Sequence, residues 1–392
     1  MITVRPEENA ILIWNLTLAR TAYISGKELT ALARWVKGSD TPFSTRLEKL
    51  GIISASEKAA VEQAILLSSE IKSPKNSFYS PESIHIELTE RCPLKCPMCY
   101  KTSVQSELSI SFLLDIIRQA AKMKVFQIAF GGGEPIIYPE LVTAVKEVTR
   151  YGMASTLTTS GIGLTYGLLE KLKKAGLNHI QVSLNGSNKV VHALSRDGFN
   201  EGVDALRILQ QTGLSYGVNW VARMDNIDDF PAMTTFVKGY GVNNLNILRY
   251  KPSPKENYNN IALSAEKVNL LGEYIKRTIG LCIKTDSAFS NLRCKLNGRT
   301  SFMSGCGAAR RFIALSACGS YMPCSHVNMK EKFDNLSHAW HYSQNMALFR
   351  NLSSNLSSPC AECDYLHGCY GCRAVMHAQG EDFYAGDKEC IN

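Results

Sequence analysis

The first ten residues, MITVRPEENA, lack the basic start and apolar core of a signal peptide. The apolar run ILIWNL at 11–16 is far too short to cross a bilayer, which takes about 20 residues. No stretch has low complexity. Positive charge is not concentrated either. The net charge of +8 is mild, and KLKK at 171–174 and Arg310–Arg311 are short and scattered, so they read as solvated surface rather than a nucleic-acid footprint. These absences predict a soluble, cytoplasmic protein with neither a membrane nor a nucleic-acid partner. At 392 residues the chain is long enough for two or three domains.

Cysteine, by contrast, is abundant. There are thirteen, an odd number. A reducing compartment disfavours disulfides, so clustered cysteines there point to metal or redox chemistry.

Residues 1–80 read as a separate small α+β unit. ILIWNL and ARTAYIS have strand character, and GKELTALARWV has helical periodicity. TPFSTRLEKLGII predicts a second helix ending at Gly51, and residues 57–71 a third. SPKNSFYSPES at 73–83 is expected to be a polar linker. Strands then alternate with helices. The strands expected are 83–88, 126–130, 154–159, 179–184, 215–221 and 245–250, with helical patterns between them and one after the last. Such alternation predicts a parallel sheet, here a partial (β/α)6 TIM-like barrel within the α/β class. In barrels of this kind the chemistry sits on loops after the strands' C-terminal ends. The alternation is expected to stop near residue 280. Ten of the thirteen cysteines lie between Cys282 and Cys390, in a glycine-rich stretch that looks held by metal sites.

RCPLKCPMC at 91–99 follows the first barrel strand. It places Cys92, Cys96 and Cys99 in C-x3-C-x2-C spacing with no fourth cysteine nearby. Structural zinc takes four ligands, whereas catalytic metal sites keep a coordination position open. Pro93 and Pro97 shape the loop so that the sulfurs converge. The competing readings are zinc with a distant fourth ligand, or buried free thiols.

This spacing at this position resembles the radical S-adenosylmethionine (SAM) superfamily. The resemblance implies a 4Fe–4S cluster on Cys92, Cys96 and Cys99 whose remaining iron binds SAM. Reductive cleavage of SAM then gives methionine and a 5′-deoxyadenosyl radical, which abstracts hydrogen from a substrate. The residue before the third cysteine is usually aromatic; here it is Met98, with Tyr100 just after. GGGEP at 131–135 is similar to the family's Gly-Gly-Glu motif. Gly132 and Gly133 would let backbone approach a ligand, and Glu134 would accept from the methionyl ammonium. In TTSG, Ser160 would bond SAM; in SLNG, Ser183 and Asn185 would meet ribose hydroxyls or the carboxylate. Arg196 would pair with the SAM carboxylate, its alternative being a surface arginine at a helix start.

The C-terminal cysteines form a second resemblance. Cys306, Gly319 and Cys324 are spaced C-x12-G-x4-C. Cys360, Cys363, Cys369 and Cys372 follow as C-x2-C-x5-C-x2-C, and seventeen residues separate Cys372 from Cys390. Structural zinc would also suit C-x2-C. The order resembles the SPASM extension of radical SAM proteins, with one gap of two residues where three is usual. That resemblance implies two auxiliary 4Fe–4S clusters. Cys360, Cys363, Cys369 and Cys390 match one; Cys306, Cys324 and Cys372 match the other, with Cys318 the nearest candidate for its fourth ligand. Cys294 is a lesser candidate, and an open iron is another possibility. Cys282 reads as a small buried hydrophobe.

SPASM proteins mostly modify peptides. The N-terminal unit is similar to the winged-helix-like element (RRE) with which ribosomal-peptide (RiPP) maturases capture a leader by β-strand addition; the alternative is a barrel-packing extension with no partner. The expected function is oxidative crosslinking of a ribosomally made precursor peptide, with an external flavodoxin- or ferredoxin-type electron donor. The alternatives are a sulfatase-type maturase that forms formylglycine, and a non-catalytic iron–sulfur electron-transfer or sensor protein. No general acid or base is assignable; Asp286 and Tyr321 are candidates for the substrate's vicinity, though nothing in the sequence separates them from ordinary surface residues.

Overall fold

The computed structural model describes residues 1–101, 105–297, 305–378, 380, 382–387, 390 and 391. It begins with a three-stranded antiparallel sheet of β1 (Ile2–Glu7), β2 (Ala10–Asn15) and β3 (Arg20–Ser25). Helices α1 (Gly26–Val36), α2 (Pro42–Lys49) and α3 (Lys58–Ser68) complete the unit. Its core joins Ile11 and Ile13 to Leu32, Trp35, Val61 and Ala64. A capping box starts α2: Thr41 Oγ1 accepts from the Ser44 amide at 3.1 Å, and Ser44 Oγ accepts from the Thr41 amide at 2.9 Å. Gly51 lies just past that helix with φ +66°, a conformation that favours glycine.

Two corrections arise in this region. Strand β1 was not expected, because Arg5 and Glu7 break its apolar pattern. The structure buries both as an ion pair of 2.7 Å. The Arg5 guanidinium also donates to the carbonyls of Pro81 (2.8 Å) and Lys124 (3.2 Å) and lies 4.7 Å over the Phe126 ring. The expected polar linker is in fact a strap moored along the body. Phe78 is buried, its amide donates to Arg310 O at 3.1 Å, and its carbonyl accepts from Trp340 Nε1 at 3.1 Å.

The six expected barrel strands form as β4 (Ser83–Thr89), β5 (Gln127–Gly132), β6 (Ala154–Thr159), β7 (His179–Ser183), β8 (Tyr216–Ala222) and β9 (Asn244–Arg249). They pair in parallel, each with the next. Helices α4 (Ile110–Lys122), α5 (Leu141–Arg150) and α6 (Tyr166–Ala175) follow the first three strands. Then come α7 (Lys189–Ala193), α8 (Phe199–Gln210), α9 (Phe230–Gly239), α10 (Tyr258–Ile261) and α11 (Ala265–Arg277). Leu113, Ile116, Ile117 and Ala120 form the buried stripe of α4, at helical spacing, packed with Ile84, Ile86 and Leu88 of β4 in one core.

Parallel strand formation does not stop at residue 280. β10 (Ile283–Thr285) extends the sheet beyond β9, and β11 (Phe312–Leu315) pairs parallel to β4 at the other side. β12 (Tyr321–Met322) closes a hairpin on β11, giving the order β10-β9-β8-β7-β6-β5-β4-β11-β12. The cysteine-rich region thus builds into the barrel sheet, and the barrel is partial: among the described residues β10 and β12 do not pair with each other. These short strands carry too few residues for a visible period. Among the described residues, no helix is long and apolar enough to cross a membrane.

Candidate cofactor and metal site

The three-cysteine loop leaves the C-terminal end of β4 and returns beside it. Glu90 N donates to Ser106 O at 2.8 Å, and Leu108 N to Leu88 O at 3.0 Å. Within the loop a turn closes on the cysteines themselves, Cys99 N to Cys96 O at 3.3 Å.

Three neighbouring rim segments hold the loop. After β5, the amides of Gly133 and Glu134 donate to Thr89 O (2.7 Å) and Arg91 O (2.9 Å). After β7, Met98 N donates to Ser195 O at 3.2 Å, Lys95 N donates to Asp197 Oδ2 at 2.8 Å, and Asp197 N lies 3.5 Å from Cys96 Sγ. After β9, Ser253 Oγ stands 3.1 Å from Cys99 O, and Lys255 Nζ donates to Cys96 O at 3.2 Å. Seven backbone and side-chain groups from three segments far from the loop in sequence therefore fix one short segment. Such over-determination is what a preorganised ligand set needs.

The three thiols are brought into electrostatic range of one another. Cys92 is exposed, yet partial desolvation raises its pKa, and the charges of Glu134, Cys96 and Cys99 raise it further, against a lowering bond from the Leu94 amide. Such thiols ionise readily once a metal supplies positive charge. Among the described residues, no three His, Cys, Asp or Glu side chains converge as around a single ion. A cubane cluster instead spreads its thiolates over separate irons. The donor set, three cysteines on a clasped loop, fits such a cluster. Two buried polar atoms near this rim, Glu90 Oε2 and Arg196 Nε, have no hydrogen-bond partner.

The glycines after β5 meet chain before any ligand. A Cβ on Gly132 would lie 2.4 Å from Thr89 O, and one on Gly133 would lie 2.3 Å from Arg91 O. Gly132 also has φ +125°. These positions let the end of β5 pass against the start of the cysteine loop. Glu134, buried to 1% exposure, is committed as well. Its Oε1 accepts from Ile136 N (3.1 Å) and Thr159 Oγ1 (2.6 Å); its Oε2 accepts from Ser160 N (2.9 Å) and Ser160 Oγ (2.6 Å). A carboxylate has about four lone-pair sites, so these donors fill it. The expected role of Glu134 as acceptor for an ammonium is therefore taken by the chain, and the Ser160 hydroxyl is spent on the same bond.

Asn185 is similarly occupied. Its Nδ2 reaches Ser195 Oγ (2.8 Å) and Met98 Sδ (2.9 Å), and its Oδ1 accepts from Val221 N (3.1 Å). It ties the β7 end to the cysteine loop and to β8. Ser183 is buried at the end of β7. Arg196 lies in the segment that clasps the loop, its amide bonded to His192 O at 2.9 Å.

The C-terminal cysteines gather in two groups. Cys324 feels the charges of Cys306 and Cys372, and burial pushes Cys306 and Cys324 up to about 11 and about 12. Cys363 and Cys390 act on Cys294, which hydrogen-bonds Cys369; that bond, then burial, raises Cys369. Cys360 in turn feels Cys369. Asp387 stands between the groups. Its amide reaches Cys360 Sγ at 3.4 Å, and its Oδ2 accepts from Cys372 N at 3.2 Å. Arg249, at the end of β9, grips the same carboxylate at 2.6 and 2.9 Å.

Three expectations change here. Cys318 is exposed in the β11–β12 turn, 3.1 Å from Ser316 Oγ and with Lys330 and Lys332 as charged neighbours, rather than in the Cys306 group. Cys294 joins the Cys369 group. Cys282 is exposed, not a buried hydrophobe. Asp286 is brought to the rim, where its Oδ2 pairs with Lys251 at 2.8 Å, and Lys251 in turn feels Cys372 and Cys324. Tyr321 instead packs on Phe333, with its fully buried hydroxyl near Asp115. Sequence reading missed Lys101, Lys251, His326 and Asp387, for which no spacing signal exists. Lys101 pairs with Glu87 beneath the loop.

Residues 86–237 match the family model described as Radical SAM superfamily. A PqqA peptide cyclase of Gluconobacter oxydans is 27% identical over 322 residues, 76% of this chain and 87% of that protein. The structure of Streptococcus suis SuiB bound to S-adenosylmethionine superposes with a TM-score of 0.78 at 17% identity, covering 100% of this chain and 99% of that one. SuiB bound to the precursor peptide SuiA gives 0.77, covering 100% and 98%.

Proposed function

We propose that this chain is a radical SAM enzyme that crosslinks residues of a ribosomally made precursor peptide. The observation that carries this reading is the loop bearing Cys92, Cys96 and Cys99, clasped from three sides at the C-terminal rim of the parallel sheet. The identity shared with a peptide cyclase, and a fold likeness to SuiB over the whole chain, support a peptide as substrate.

When bound, a 4Fe–4S cluster and SAM supply a 5′-deoxyadenosyl radical. The chain's own residues position and screen. Cys92, Cys96 and Cys99 hold the cluster. The rim of Gly132, Gly133, Ser183 and Arg196 would face SAM, with Glu134, Ser160 and Asn185 fixing that rim from behind. Cys306, Cys324 and Cys372 hold one auxiliary cluster; Cys360, Cys363, Cys369 and Cys390 hold another, with Cys294 beside them. When bound, those clusters would supply an acceptor for the electron that the substrate gives up as the new bond forms. We assign residues 83–280 to the radical SAM barrel, 281–392 to the SPASM region and 1–80 to leader capture. The outer edge of β3 supports the last assignment: β3 pairs with β2 alone among the described strands, and Arg20, Tyr23 and Ser25 are exposed along it. A leader strand adds there through its backbone. The enzyme works in the cytoplasm, fed by a reduced flavodoxin or ferredoxin; thirteen cysteines with no disulfide among them suit such a compartment.

The test is anaerobic reconstitution, reduction, and addition of SAM with the short peptides encoded beside the gene. The expected result is 5′-deoxyadenosine together with a mass loss of about two hydrogens from one peptide. No mass change in any such peptide would count against crosslinking. Conversion of a sulfatase motif peptide instead would favour the formylglycine alternative.

A further inference from the structure

Cys99 is followed directly by Tyr100, and the Tyr100 ring lies on the ring of His326, centroids 4.4 Å apart and tilted by 35°. Two residues before His326 is Cys324, whose Sγ is 3.8 Å from His326 Nδ1. Both rings are half-buried. One contact chain therefore runs from the cysteine loop after β4 to the first C-terminal cysteine group. It consists of a peptide bond, a ring stack and a nitrogen–sulfur contact.

The nitrogen is too near Cys324 Sγ to serve a different iron of a cubane, since ligands on separate irons stand farther apart. It suits a donor. With Nδ1 protonated, the imidazole gives an N–H to the Cys324 sulfur, and Tyr100 sets the ring's orientation. Hydrogen bonds to ligand sulfur stabilise the reduced, more negative state of an iron–sulfur centre and raise its potential.

We propose that His326 is a positioning residue that tunes the metal centre held by Cys306, Cys324 and Cys372 through an N–H···S bond, and that Tyr100 fixes this bond from the SAM loop. The inference rests on the auxiliary-cluster reading above. It makes the cysteine loop and the first auxiliary group mechanically coupled: a change beside Cys99 is felt at Cys324.

The test is an EPR-monitored redox titration of the anaerobically reconstituted full-length protein, with iron counted in parallel. His326→Ala should lower the midpoint potential of one auxiliary signal while iron per chain stays unchanged. Tyr100→Leu, which removes the ring, should move the same signal in the same direction. Tyr100→Phe, which keeps the ring, should leave it in place. Unmoved potentials in His326→Ala and Tyr100→Leu with iron retained would overturn the proposal. Loss of iron from His326→Ala would also overturn it, because His326 would then be a ligand. Should the wild-type C-terminal sites hold zinc, with no auxiliary EPR signal, the auxiliary-cluster reading itself fails, a result distinct from either of these.

Discussion

Glu134→Gln separates two uses of one carboxylate. The variant keeps size and shape but replaces an acceptor oxygen with an NH2. In one amide orientation that NH2 faces the Ile136 amide; in the other it faces the Ser160 amide. Thr159 and Ser160 hydroxyls can turn to accept, but a backbone N–H cannot. Each orientation therefore strands one buried donor, and the cost is about 1–3 kcal/mol. Thr159 Oγ1 also accepts from Gly161 N at 2.9 Å, so its freedom to turn is small and the upper half of that range is favoured. The assay is the denaturant midpoint of wild type and variant prepared side by side in the same metal state, with SAM affinity measured by calorimetry. The expected outcome is a clearly lower midpoint with SAM affinity changed only a few-fold. A midpoint equal to wild type, with SAM binding abolished, would refute the reasoning: the carboxylate would then serve the ligand and not the rim.

Other outcomes follow from the same geometry. Cys96→Ala should lose one cluster's iron, about four per chain, and all SAM cleavage, while the C-terminal groups keep theirs; iron analysis and visible absorbance check this. Asp387→Ala removes the bidentate partner of buried Arg249 and the acceptor of the Cys372 amide, while the backbone bond to Cys360 Sγ stays. It should cost about 3–5 kcal/mol, read as a fall in denaturation midpoint. Gly132→Ala drives a Cβ to 2.4 Å from Thr89 O at positive φ and should sharply reduce the yield of folded protein. His192 is buried, which lowers its pKa to about 4 despite its bond to Asp197 O. Its Nδ1 accepts from Asn185 N at 3.2 Å, so it is neutral. The unfolded state therefore binds the proton first: stability is intact above about 6.5 and falls as pH drops toward about 4, by up to about 3 kcal/mol. Acid titration of wild type against His192→Gln checks the contribution.

The parallel strands were legible because each sets buried apolar residues between turn signals, Ile128 and Phe130 in QIAFGG and Ile180 and Val182 in HIQVS. β1 was not, since Arg5 and Glu7 look like surface charges until the fold pairs them and places Phe126 beneath the guanidinium. β10 and β11 are three and four residues long and owe their existence to neighbouring strand edges. The cysteine loop could be read from spacing because its ligands are local. The choice between Cys294 and Cys318 could not, because it depends on which loop the tertiary fold carries to which group. Glu134 shows the same limit: its position was evident, but four donors arriving from two strand ends were not.

The most direct test of the account uses a perdeuterated precursor peptide with reduced enzyme and SAM. Mass spectrometry of the released 5′-deoxyadenosine reads whether hydrogen came from the peptide. The account predicts one deuterium in 5′-deoxyadenosine and a peptide lighter by that deuterium and one further hydrogen, a deuteron from carbon or a solvent-exchanged proton from a heteroatom. Only unlabelled 5′-deoxyadenosine, with the peptide unchanged, would contradict it.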